Sequence, residues 1–103
     1  MSTRIKNSVE FNDAIKLLGD AYILSIVDNL ARKSMRFNEL QRSVTDICPA
    51  TLADRLKKLE HEKIVIRQEE TLDKLSVVYD LTPKGQGILP IIKEIGKFAD
   101  KFV

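Results

Sequence analysis

The chain is poor in the residues from which disulfides, metal centres and nucleotide loops are built. Its 103 residues include one cysteine, Cys48, and one histidine, His61. A lone cysteine closes no internal disulfide. A lone histidine with no second histidine or cysteine at ligand spacing falls short of the three or four donors a zinc site needs, so no metal is expected. The four glycines and three prolines form no glycine-rich phosphate loop, and neither a Gly-x-Ser-x-Gly elbow nor a His-Glu-x-x-His motif is present. Catalysis and a bound cofactor are therefore not expected. No apolar run approaches the roughly 18 residues of a membrane span. The opening Met-Ser-Thr-Arg-Ile-Lys leads into polar residues where a signal peptide would carry its apolar stretch. The expectation is a cytoplasmic protein without membrane contact.

What is present describes an ordinary globular chain: 44% hydrophobic and 31% charged residues, enough apolar surface for one small core. One domain spanning residues 1–103 is expected, gaining stability against a second copy. The net charge of +2 says little by itself, but its distribution is uneven. Between Arg32 and Arg67 stand nine lysines or arginines against five acids, while the remainder sums to −2. A cationic middle on an acidic body is the charge pattern of a surface that meets phosphates.

The periodicity predicts a mainly α chain with a small β-hairpin. Phe11, Ala14, Ile15 and Leu18 have helical spacing, with Gly19 as a stop and Asp20 as a cap for a second helix over residues 21–31. A polar stretch, Arg32 to Ser34, ends that helix. Residues 37–43 form a short third helix, and Asp46 to Pro49 form the turn before the next helix, which Cys48 or Thr45 is placed to cap. From Pro49, Leu52, Leu56 and Leu59 recur at i, i+4 and i+7, the stripe of a helix lying on a core. Ala50, Asp54, Lys57, Lys58 and His61 point the other way. The helix-turn-helix thus covers about residues 37–61. After Lys63 the pattern becomes extended, with Ile64 to Ile66 and Val77 to Tyr79 as the arms of a wing over about 64–80 and a loose tip from Glu69 to Lys74. Thr82 and Pro83 open a last helix over about 83–102, which Pro90 should kink or break.

A helix that hides one face and offers cations on the other is the construction of a major-groove reader. Thr51, Lys57 and Lys58 are the candidates for the groove, with Arg55 to the side, placed for a phosphate or an acid of the same domain. Arg36, Asn38, Gln41 and Arg42, on or beside the preceding helix, are candidates for phosphates, because that helix crosses the DNA backbone in this docking mode. Arg67 and Lys74 belong to the wing. Cys48, at the start of the recognition helix, carries a weaker redox reading, since a helix N-terminus favours a thiolate. The last helix holds an apolar stripe wider than one small domain covers. With the first helix it gives a dimerisation set of Phe11, Ile15, Leu18, Ile88, Ile92, Ile95, Phe98 and Phe102.

The segments "RFNELQ", "ICPATLADRLKKLE" and "YDLTPKGQ" resemble, in this order, the signatures of the HxlR-type winged-helix transcription regulators, relatives of the MarR-type repressors. The resemblance runs from about Phe11 to about Phe102. It implies a homodimer built from the terminal helices that binds a pseudo-palindromic operator in double-stranded DNA, with repression as the expected role. The chain departs from the pattern at Gly19-Asp20-Ala21-Tyr22, where Gly-Gly-Lys-Trp is common, and at Lys63, where a glycine usually precedes the wing. Relatives that sense oxidants carry a cysteine ahead of the first helix, and this chain has none there. A small effector is not identified by any set of residues. The competing expectation is a winged-helix module that docks an acidic protein and binds no DNA.

Overall fold

The computed structural model describes residues 8–70 and 73–103, with side chains over 10–69 and 77–103. Six helices and three short strands occur among them: α1 (Ser8–Leu18), α2 (Ala21–Arg32), β1 (Met35–Arg36), α3 (Phe37–Ser43), α4 (Pro49–His61), β2 (Val65–Glu70), β3 (Asp73–Leu81), α5 (Pro83–Gln86) and α6 (Leu89–Phe102). The fold is a winged helix. The middle of the structure is α2, whose Ile23, Ile26, Val27 and Leu30 are buried. Around it pack Leu40 of α3, Leu52, Leu56 and Leu59 of α4, Ile64 and Val65 at the start of the wing, and Tyr79 and Leu81 of β3. Val44 and Ile47 carry the turn between α3 and α4 into the same core, so the angle between the two helices is set by burial of their connection.

The wing is β2 antiparallel to β3, with Val65 opposite Leu81 and Arg67 opposite Tyr79, and a register shift between Glu69 and Glu70. The strands run on to Glu70 and Asp73, further into the tip than the polar run predicts. The sheet also has a third strand that the sequence reading places in no element: β1 pairs with β3 through Met35–Tyr79 and Arg36–Val78. Two residues are too few to show a period of two, and only their partner on β3 makes them a strand.

The end of α4 explains one departure from the family pattern. Lys63 has φ 63°, in the left-handed region. The Ile64 N–H reaches back to Leu59 O (2.9 Å) and the Lys63 N–H to Glu60 O (3.0 Å). This is a Schellman-type stop, where glycine avoids the steric penalty of a side chain. The chain holds the same turn with lysine, supported by Thr82, whose hydroxyl donates to Lys63 O (2.6 Å), and by Lys84, whose ammonium donates to Glu62 O (2.7 Å).

The last helix breaks earlier than Pro90. The one-turn α5, capped by Thr82 Oγ1 accepting from Gly85 N (3.0 Å), stops at Gly87, and α6 starts at Leu89. Pro90 therefore lies in the first turn of a new helix, where its missing N–H has no intrahelical partner to lose. The break also sets which side of this segment turns inward. Ile88, expected on the dimer face, is only 7% exposed and belongs to the core, while Ile91 is exposed and Ile92 is partly buried against the core. On α1, Leu18 is likewise partly buried against the core.

Candidate nucleic-acid interface

The two faces of α4 are cleanly divided. Leu52, Leu56 and Leu59 are buried, while Ala50, Ala53, Asp54, Lys57, Lys58 and His61 are exposed. The two lysines diverge around the helix. Lys57 turns towards the wing, where it lines a cleft of about 410 Å³ with Phe37, Ala53, Glu60, Arg67 and Tyr79. Lys58 turns towards α1, at a depression of about 570 Å³ shared with Glu10, Asp13, Lys16 and Glu62. The cleft brings Lys57 and Arg67, distant in sequence, to one strip of surface.

The start of α4 is Pro49 in the first turn with Cys48 as N-cap. The Cys48 side chain makes no capping hydrogen bond; its Sγ lies 3.2 Å from Thr51 Oγ1. The Thr51 hydroxyl and the backbone amides of the helix start hold the exposed thiol below the usual cysteine range. Thr51, expected to reach the groove, is half-buried and engaged with Cys48.

Arg55 is engaged within the chain. Its Nε donates to Asp20 Oδ2 and its Nη1 to Asp54 Oδ2, both at 2.8 Å. The guanidinium carbon lies 6.0 Å from the centre of the Tyr22 ring. Asp20 is at once the N-cap of α2, its Oδ1 accepting from Tyr22 N (2.9 Å) and Ile23 N (3.2 Å). The Tyr22 hydroxyl donates to Asp46 O (3.2 Å), in the turn of the helix-turn-helix, where Asp46 has φ 60°. Tyrosine thus fills the position where tryptophan is common, and its hydroxyl ties α2 to the carbonyl of the turn. Of the two roles read for Arg55, the structure shows the pairing with acids.

Burial alone would raise the Asp20 carboxyl, but the Ile23 amide and the Arg55 guanidinium outweigh it and hold the group below its ordinary 3.8. A carboxyl whose folded value lies below its unfolded value stabilises the fold above the unfolded value, and that stability is lost as pH falls through the folded one. The variant Asp20→Asn keeps an acceptor for the cap and removes the charge. It is expected to be less stable than the parent by about 1 kcal/mol at neutral pH, with the difference shrinking below about pH 4. Urea midpoints measured across that range check this; a difference that stays constant into acid refutes it.

Of the candidate phosphate contacts before α4, Arg36, Asn38 and Arg42 are exposed and Gln41 is half-buried. Glu39 reaches back to the Arg36 N–H (3.0 Å) and pairs with Lys33 (3.3 Å), and these contacts lower its carboxyl pKa. On the wing Arg67 is exposed, and the side chain of Lys74 lies outside the described residues. Ile91, Ile95, Phe98 and Phe102 form an exposed apolar stripe along α6, and Phe11 and Ile15 do the same on α1. Among the described residues no helix is long and apolar enough to cross a membrane.

Comparison with known proteins agrees with this geometry. Residues 17–103 match the family model described as HxlR-like helix-turn-helix. The chain is 32% identical over 93 residues to YvaP of Bacillus subtilis, described as an uncharacterized HTH-type transcriptional regulator, covering 90% of this chain and 86% of that protein. It is 33% identical to the HTH-type transcriptional regulator YodB of the same organism, covering 90% and 83%. The solved reduced form of YodB superposes with a TM-score of 0.81 over 90% of this chain and 91% of that one. A Porphyromonas gingivalis W83 structure assigned to the MarR family gives a TM-score of 0.82 at 27% identity, covering 100% and 99%. With its winged helix, its open cationic recognition face and these relatives, the chain belongs to the HxlR-like helix-turn-helix family of transcriptional regulators.

Proposed function

We propose that this regulator is a cytoplasmic homodimer that represses transcription by occupying a pseudo-palindromic operator. Each protomer places α4 in a major groove, sets Arg36, Asn38, Gln41 and Arg42 against one phosphate backbone, and lays the wing with Arg67 and Lys74 on the flanking one. The observation that carries this reading is the open face of α4 opposite its buried leucines, joined to the wing by the cleft between Lys57 and Arg67. In a two-fold dimer the half-sites lie about 10 base pairs apart, or a multiple of that. Terminal helices with exposed apolar stripes supply the dimer contact. Redox control through Cys48 rests on its exposed, acidified thiol alone and is a subsidiary part of the reading.

Selecting bound sequences from random duplexes tests the proposal, with a two-fold motif as the expected result. Failure to bind any duplex at low salt would point to the protein-docking alternative. On the selected site, Lys57→Ala with Lys58→Ala is expected to weaken binding by about 10- to 100-fold. The salt slope should fall by about one unit for each phosphate contact removed. Parent-like affinity of the double variant at matched salt would exclude both lysines from the interface.

A further inference from the structure

An acid stands at the centre of the face that meets DNA. At about 100° per residue, Asp54 lies some 200° around α4 from Leu52, so it points almost directly away from the core. Its neighbours on that face are Ala50 and Ala53 in the preceding turn and Lys57 and His61 in the following ones. The alanines carry only a methyl, which lets the helix approach the groove floor closely enough for a short side chain to reach a base edge. The Asp54 side chain is 65% exposed, and its only partner among the described residues is Arg55, bonded through Oδ2. Asp54 Oδ1 has no partner among those residues.

A carboxylate accepts hydrogen bonds and donates none, and phosphates repel it. The groove offers it amino groups only, those of cytosine and adenine. Adenine sets its amino group beside the N7 acceptor, which repels the second carboxylate oxygen, whereas the cytosine edge presents its N4 donor without that neighbour. Cytosine is therefore the better partner. The carboxylate is also held in place. Asp20, fixed by two amides of the core helix α2, holds Arg55, and Arg55 holds Asp54, with both charged contacts at 2.8 Å. The shared cation also reduces the repulsion an acid meets near the DNA backbone.

We propose that Asp54 reads a cytosine amino group in each half-site and that Arg55, anchored on Asp20, is the positioning residue that aims its carboxylate. This rests on the major-groove docking of α4 proposed above. Asp54 then contributes to which operator is chosen more than to how tightly DNA in general is held.

The experiment is selection from random duplexes with the parent, Asp54→Ala, Asp54→Asn and Asp20→Asn. The parent is expected to require cytosine at one position per half-site. Asp54→Ala should lose that preference, about tenfold in discrimination, and keep the others. Asp54→Asn should move it towards adenine, whose N6 and N7 an amide matches. Asp20→Asn, with a parent-like circular dichroism spectrum, should weaken discrimination by several-fold at that base pair alone. An unchanged motif in Asp54→Ala overturns the proposal, as does a uniform rise in affinity for all sequences, which would mean that the acid only repels phosphate. If the parent itself selects no duplex, the docking reading fails and takes this inference with it, a result distinct from the other two.

Discussion

Replacing Ile95 and Phe98 by glutamate is expected to give a monomer whose operator affinity is lower by about 100-fold or more, the size of the avidity lost when two linked heads become one. No residue of α6 is fully buried, and its outer side exposes Ile91 at 42%, Ile95 at 49%, Phe98 at 61% and Phe102 at 66%. The Phe98 and Phe102 rings lie 5.2 Å apart and form one continuous apolar patch. On α1, Phe11 and Ile15 are about half exposed and extend the apolar surface available to a partner. Fourteen residues of amphipathic helix with its apolar side in water do not stand stably alone. The substitutions touch no residue of the core, so each head should keep its fold and its non-specific, salt-dependent attraction to DNA. Light scattering gives the mass, and gel shifts on whole and half operators give the affinities. A parent that is monomeric at micromolar concentration, or a variant that remains dimeric, would refute the interface.

The largest effect on stability is expected from Gly85→Ala. Gly85 is buried in the single turn of α5, and a Cβ there would run into the carbonyl oxygen of Ile64, with Leu81 Cδ2 at 3.1 Å and Ile64 Cγ2 at 3.2 Å closing the other sides. That carbonyl already accepts the Thr82 N–H at 3.0 Å. The obstacle is backbone belonging to the junction between α4 and the wing, so relief requires moving α5 and loosening the Thr82 clamp. A loss of roughly 2–4 kcal/mol is expected. Gly96→Ala is the control, because nothing lies within 4 Å of its Cβ position. It should change stability by no more than about 1 kcal/mol, towards greater stability. Urea unfolding of the two variants beside the parent decides the matter; equal midpoints would show that α5 has freedom to shift.

Much of the framework was legible because it rests on local rules. The leucine stripe of α4, Asp20 and Thr82 as caps, Pro83 in a first turn and the change of period after Lys63 each follow from a few neighbouring residues, and the structure contains all of them. The element missed was β1, too short to carry a period. The break after α5 was placed too late, at Pro90, because Gly87 and the packing of Ile88 outweigh a proline that a first turn accepts.

The amino-acid order alone determined where the four helices before the wing, the two wing strands and the apolar side of α4 fall, since spacing, caps and turn residues act within a few positions. Only the tertiary structure decided what the side chains at those positions face. Arg55 meets an acid 35 residues away, Lys57 shares a cleft with Arg67, and Ile88 turns inward while Ile91 turns out. The reason is physical: a cation is available to phosphate or committed to a carboxylate according to how closely packed helices bring the two together, and that distance is fixed by the core.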